Sequence, residues 1–116
     1  MKMVDSSQAI LLRIFLGESD EYEGRPLYEA IVAKARATGL AGATVLRGPM
    51  GFGRSSRLHT SKILRLSEDL PLLIEIVDTE PKITAFIETL NGMMGSGLVT
   101  TEKVTVLRYG TTTPEE

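Results

Sequence analysis

No cysteine occurs in the 116 residues, which excludes disulfide scaffolds, thiolate zinc sites and cysteine nucleophiles together. The single histidine, His59, is too few for a multi-histidine metal centre within one chain. No apolar run approaches the ~18 residues that span a bilayer, and Met1 to Ser7 has no signal-peptide core. The expected compartment is therefore the cytoplasm, with no membrane insertion. An excess of one charge is missing too: thirteen Lys and Arg stand against fifteen Asp and Glu, a net of −2. No global basic field exists to recruit nucleic acid. What remains is 42% hydrophobic and 24% charged residues, the composition and size of one domain with a real core.

The pattern predicts an alternation of strands and helices. Ala9–Leu16 is a near-continuous apolar run ending at Gly17, which reads as a strand covered on both faces. An acidic, turn-rich stretch follows to Gly24. Pro26 sits where a first helical residue should, and the helix runs from Leu27 to about Thr38, stopped by Gly39. Ala43–Leu46 reads as the second strand, interrupted by Arg47-Gly-Pro-Met-Gly-Phe-Gly53. Arg54 to Asp69 is the least regular part. Leu70-Pro71 opens a third strand, Leu72–Val77, and Asp78 or Thr79 caps a second helix. Ile83, Phe86, Ile87, Leu90 and Met94 fall on one helical stripe, ended by Asn91-Gly92. The last strand is read as Glu102–Tyr109. Residues 8–110 form the expected domain, between tails at 1–7 and 111–116.

This order, β-α-β-β-α-β, is the ferredoxin-like α+β arrangement: a four-stranded antiparallel sheet with two helices on one face. The nearly all-apolar first and third strands belong in its middle, and the more polar, interrupted second and fourth at its edges. Two helices cover only one face. Yet Ile10, Leu12, Ile14 and Leu16 oppose Leu11 and Phe15, and Leu72, Ile74 and Ile76 oppose Leu73 and Val77. One set must find another cover, and the simplest is a second copy of the chain. Arg13 and Glu75 are expected to pair on that second face.

Charge is uneven. Between Arg47 and Ser67 lie five cations (Arg47, Arg54, Arg57, Lys62 and Arg65) and no acid, on a body that is otherwise acidic. Such a loop suits an anion or a partner protein, though solvated mobile loops look the same. The clusters Gly48-Pro-Met-Gly51-Phe-Gly53 and Gly92-Met-Met-Gly95-Ser-Gly97 could converge backbone N–H groups on an anion or simply form tight turns. Neither is a P-loop or a dinucleotide fingerprint. Catalysis is not expected: no acid lies near His59 to orient its imidazole, and no G-x-S-x-G elbow exists. Glu18, Asp20, Glu21 and Glu23 fit no metal-loop spacing, and they read as a solvated turn. Acylphosphatases share the strand order, but their glycine-rich arginine loop is absent between Gly17 and Gly24.

Taken in order, several segments resemble PII signal-transduction proteins. They are Gly42-Ala-Thr-Val45, Gly51-Phe-Gly-Arg54, His59-Thr60, Leu70-Pro71 with Ile74-Glu-Ile-Val77, Gly95-Ser-Gly97 and Val106-Leu-Arg108. Gly24-Arg-Pro-Leu-Tyr28 and Gly42-Ala-Thr-Val-Leu-Arg-Gly48 are closer still to an uncharacterised PII-like family. The resemblance, spanning about Gln8 to Gly110, implies a homotrimer with sheets facing inward and an effector bound between subunits. That effector would be an adenine nucleotide: AMP, ADP or ATP. By position it nominates Thr44, Gly51, Phe52, Gly53, Arg54, Gly95, Ser96, Gly97 and Arg108 as ligand-binding residues, with no metal site. The basic segment 54–69, carrying Arg57, His59, Lys62 and Arg65, would be the loop that contacts a partner such as a transporter or enzyme. The chain departs from the PII pattern at Leu72 and Leu98, where phosphate-contacting lysines would stand, and at Ser55, where a glutamine would. The alternative reading is a ligand-independent module that docks on a membrane transporter or channel.

Overall fold

The computed structural model describes residues 7–52, 59–60 and 69–110. Its elements are β1 (Ser7–Gly17), β2 (Glu21–Tyr22), β3 (Arg25–Pro26), α1 (Leu27–Ala37) and β4 (Thr44–Arg47). They continue with β5 (Met50–Gly51), β6 (His59–Thr60), β7 (Pro71–Asp78), α2 (Glu80–Asn91) and β8 (Leu98–Val106). The main sheet is antiparallel in the order β4-β7-β1-β8. That is the ferredoxin-like α+β fold, with the two most apolar strands central as their patterning requires.

Alternation decides which side chains are buried. Leu12, Ile14 and Leu16 of β1 and Leu72, Ile74 and Ile76 of β7 point towards the helices. There they join Leu27, Ala30, Ile31 and Ala35 of α1 and Ile83, Phe86 and Leu90 of α2 in one core cluster. The alanines let α1 lie close to the sheet. Ile74 has no exposed surface, so Ile74→Ala removes three buried carbons from a site that cannot collapse. A loss of about 2–5 kcal/mol is expected, read as a lower urea midpoint with an unchanged slope.

Local chemistry sets the element ends. Pro26 is the N-cap of α1 and not its first helical residue. Gly39, with φ +85°, follows the C-cap Thr38 and ends the helix in the left-handed region. Thr79 is the N-cap of α2, but its side chain makes no capping bond. Asp78 instead accepts from its own neighbour's N–H, Thr79, at 2.7 Å and from Ala41 N–H at 2.9 Å, tying the α1–β4 loop to the end of β7.

Two sequence expectations need correction. The last strand runs Leu98–Val106, not Glu102–Tyr109. A strand extends only where a partner backbone exists, and β1 offers one from Ser7, opposite Val106, to Phe15, opposite Leu98. The segment read as least regular contains β6, where His59 and Thr60 pair with Gly51 and Met50 of β5. The rest of that segment up to residue 68 lies outside the described residues.

Candidate functional site: the open sheet face and the two glycine loops

Directly paired residues share a sheet face, so the register defines the face the helices leave uncovered. One row on it is Leu46–Leu73–Phe15–Leu98, apolar across all four strands. The next is Thr44–Glu75–Arg13–Thr100, and beyond it Val77 pairs with Leu11, which pairs with Glu102. Phe15, Val77, Leu46 and Leu98 are 36%, 38%, 48% and 55% exposed. The second apolar set expected from patterning is therefore where it should be, and among the described residues nothing shields it.

The expected pair is also present. Arg13 Nε donates to Glu75 Oε2 at 3.0 Å, and its Nη1 donates to Glu102 Oε1 at 3.1 Å. The Glu75 hydrogen bond, above all, raises the Arg13 guanidinium above its ordinary value against the opposing effect of desolvation, and the charges of both carboxylates add to it.

Both glycine clusters lie at one end of the sheet. There β1 and β4 end while β7 and β8 begin: Gly17 faces Pro71, Arg47 faces Leu72, and Phe15 faces Leu98. Gly48 N–H donates to Pro71 O at 2.8 Å, and a Cβ on Gly48 or Gly51 would stand 3.1 Å from the Pro71 ring. These two glycines let the chain turn tightly over that proline. The Gly95–Gly97 loop enters β8 on the opposite edge, three strand spacings or ~14 Å away. Arg47 is not free to serve an anion there, because it is paired with Glu18.

Gly97 alone among these has no alternative residue. Its φ is +120°, and a Cβ would lie 2.8 Å from the Phe15 carbonyl oxygen and 2.7 Å from Met94 Cε. Gly97→Val combines backbone strain with a backbone clash and is expected to lower Tm by several degrees. Gly95→Val, facing open space, should leave Tm within about a degree.

The remaining nominated residues fall in three places. Thr44 sits in the polar row on the open face, and Phe52, 74% exposed, follows β5 at the glycine end. Ser96 lies between Gly95 and Gly97 in the loop before β8. Arg108 follows β8, so the nine residues of that strand, ~30 Å of extended chain, separate it from the Gly95–Gly97 loop. Tyr109 beside it donates its hydroxyl to Ala41 O at 3.4 Å, at the far end of the sheet. One subunit thus keeps Arg108 apart from the glycine loops. Gly53, Arg54, Arg57, Lys62 and Arg65 lie outside the described residues, and of His59 only its strand position is described. Sequence reasoning missed the β5–β6 pairing, in which Gly51 before the basic segment meets His59-Thr60 within it.

Elsewhere, a shallow groove between α1 and β4, lined by Tyr28, Val32, Arg36 and Val45 among others, includes none of the nominated residues. Among the described residues no His, Asp or Glu group is arranged to hold a metal ion, and no helix is long and apolar enough to cross a membrane.

Comparison with known proteins places this geometry. The family model DUF190, described as an uncharacterized ACR, matches residues 9–106. A UPF0166 protein of Aquifex aeolicus is 40% identical over 97 residues, which cover 84% of this chain and 91% of the relative. Among solved structures, CPII, a nitrogen regulatory PII-like protein from Thiomonas intermedia bound to ADP, AMP and bicarbonate, superposes with a TM-score of 0.66. The match has 17% identity and covers 90% of this chain and 92% of that one. GlnK of B. subtilis in complex with ATP superposes with a TM-score of 0.56 at 16% identity, over 84% and 82% of the two chains. At these identities the likeness is one of fold.

Proposed function

This chain belongs to the DUF190 family, and from that premise we propose that it is a non-catalytic, trimeric PII-like regulator. It binds an adenine nucleotide at the seams between subunits and signals through its basic loop. The observation that carries the reading is the split of the nominated site. Gly51, Phe52 and the Gly95–Gly97 loop share one end of the sheet, while Arg108 lies at the other. A ligand touching both needs two copies, and the uncovered row through Leu46, Leu73, Phe15 and Leu98 supplies a reason for copies to meet. The nucleotides bound to PII-like structures of the same fold support this ligand class.

The phosphate end is poorer in cations than in PII proteins. Leu72 is core, 3% exposed, and Leu98 belongs to the open-face row; both positions serve packing. Each missing ammonium forgoes a charge-assisted bond of ~1.5–3 kcal/mol. Affinity should therefore not climb with phosphate number as it would beside lysines. Because Gly51 is paired with His59, which belongs to the 54–69 segment, occupancy next to Phe52 would be transmitted to that segment. Its cations would then engage or release a partner such as a transporter or enzyme.

Isothermal titration with AMP, ADP and ATP tests the reading. Binding of AMP or ADP, with ATP no more than about tenfold tighter than AMP, is the expected result. No heat and no thermal shift with any of the three, from a protein that still self-associates, would replace it with the ligand-independent docking module.

A further inference from the structure

The face offered for self-association is not uniformly apolar. Its middle is crossed by the Thr44–Glu75–Arg13–Thr100 row, with Glu102 reaching in from the row beyond. The charged side chains are neither free nor deeply buried: Arg13 is 37% exposed, Glu75 33% and Glu102 59%. Pairs this accessible contribute little to the stability of a lone subunit. On a surface that could have been apolar throughout, they need another explanation.

We propose that the Arg13, Glu75 and Glu102 cluster sets the register in which copies of this chain pack, selecting one assembly over displaced alternatives. The inference rests on the self-association proposed above. The face carries one guanidinium and two carboxylates side by side, so it is complementary in sign to another copy of itself. A lipid surface or a nucleic acid would call for a single sign. Arg13 has five N–H donors and directs two of its nitrogens at carboxylates within its own chain. When the face leaves water, its remaining donors and the second oxygens of Glu75 and Glu102 must find partners. An apolar contact between Leu46, Leu73, Phe15 and Leu98 rows tolerates sliding, because one greasy placement is nearly as good as the next. A displaced placement would bury the cluster against those leucines and leave charges unpaired, which is strongly disfavoured. Polar groups in otherwise apolar seams fix register in coiled coils for the same reason.

The test compares the wild type with the triple variant Arg13→Leu/Glu75→Leu/Glu102→Thr by sedimentation velocity and native mass spectrometry, with circular dichroism to confirm folding. The wild type is expected to show one oligomer. The triple variant should stay folded and spread over several sizes, because the apolar face is now continuous. A single species of wild-type mass, or a lone subunit, from the triple variant would overturn the inference. Should the triple variant not fold, Glu75→Gln, which keeps the shape of the side chain, takes its place. A second oligomer size beside the wild-type one supports the inference, and an unchanged single size overturns it. A wild type that sediments as one subunit would instead remove the self-association beneath both readings.

Discussion

Phe15→Asp is expected to convert the proposed assembly into lone, folded subunits. Phe15 sits on a central strand in the apolar row of the open face, flanked by Leu73 on one side and Leu98 on the other. In the isolated subunit it is 36% exposed, so a carboxylate there still reaches water and the core behind the sheet is untouched. In the assembly the same carboxylate would be forced into a leucine row, where an unpaired charge costs several kcal/mol. With one copy of the defect in every subunit, self-association should weaken at least about a thousandfold, the equivalent of about 4 kcal/mol. Sedimentation velocity would report the subunit mass, while circular dichroism stays native. Lys34→Asp, an exposed position on α1 on the other side of the sheet, should leave the oligomer intact. An unchanged oligomeric mass for Phe15→Asp would show that copies do not meet through this face.

The reason that expectation could be framed from sequence is the period of two. In β1 and β7 both alternating sets are mostly apolar, Arg13 and Glu75 apart, and the two helices could shield only one of them. The structure places Leu12, Ile14, Ile74 and Ile76 under the helices and leaves Phe15 and Val77 out, so the imbalance was visible in the residue order. Pairing partners were less visible. The end of β8 at Val106 depends on where β1 starts, at Ser7, and nothing in Leu107-Arg108-Tyr109 announces that its neighbour has run out. The β5–β6 pair is two residues on each side, too short for any periodicity, and the β2–β3 hairpin is likewise small. Its turn, Glu23-Gly24, has both residues at positive φ, a geometry that Asn-Gly signals and Glu-Gly does not. The nominated site was legible as residue types but not as an arrangement. The positive φ of Gly97 and the distance between the glycine loops and Arg108 became apparent only with the backbone and the strand register.

That distance makes the sharing of the seam directly testable by complementation. Arg108→Ala would remove the proposed charge-assisted contact to phosphate and should weaken nucleotide binding about tenfold to a hundredfold. Gly95→Trp, at a position where added atoms meet open space, should fill the loop's approach to the ligand and abolish binding without unfolding the subunit. Each homogeneous variant is then defective at every site. Unfolded together and refolded as an equal mixture, the two variants assemble at random. About one seam in four then joins an intact Gly95 loop from one copy to an intact Arg108 from its neighbour. Titration of the mixture should recover wild-type affinity at about a quarter of the wild-type stoichiometry. If glycine loop and arginine served the same ligand within one chain, every subunit in the mixture would still carry one defect, and no wild-type site could appear. Recovery of none of the sites, from mixtures shown by mass spectrometry to contain both variants, would put the Gly95 loop and Arg108 on one ligand within a single subunit, and an Arg108→Ala protein that binds like the wild type would put Arg108 outside the binding site.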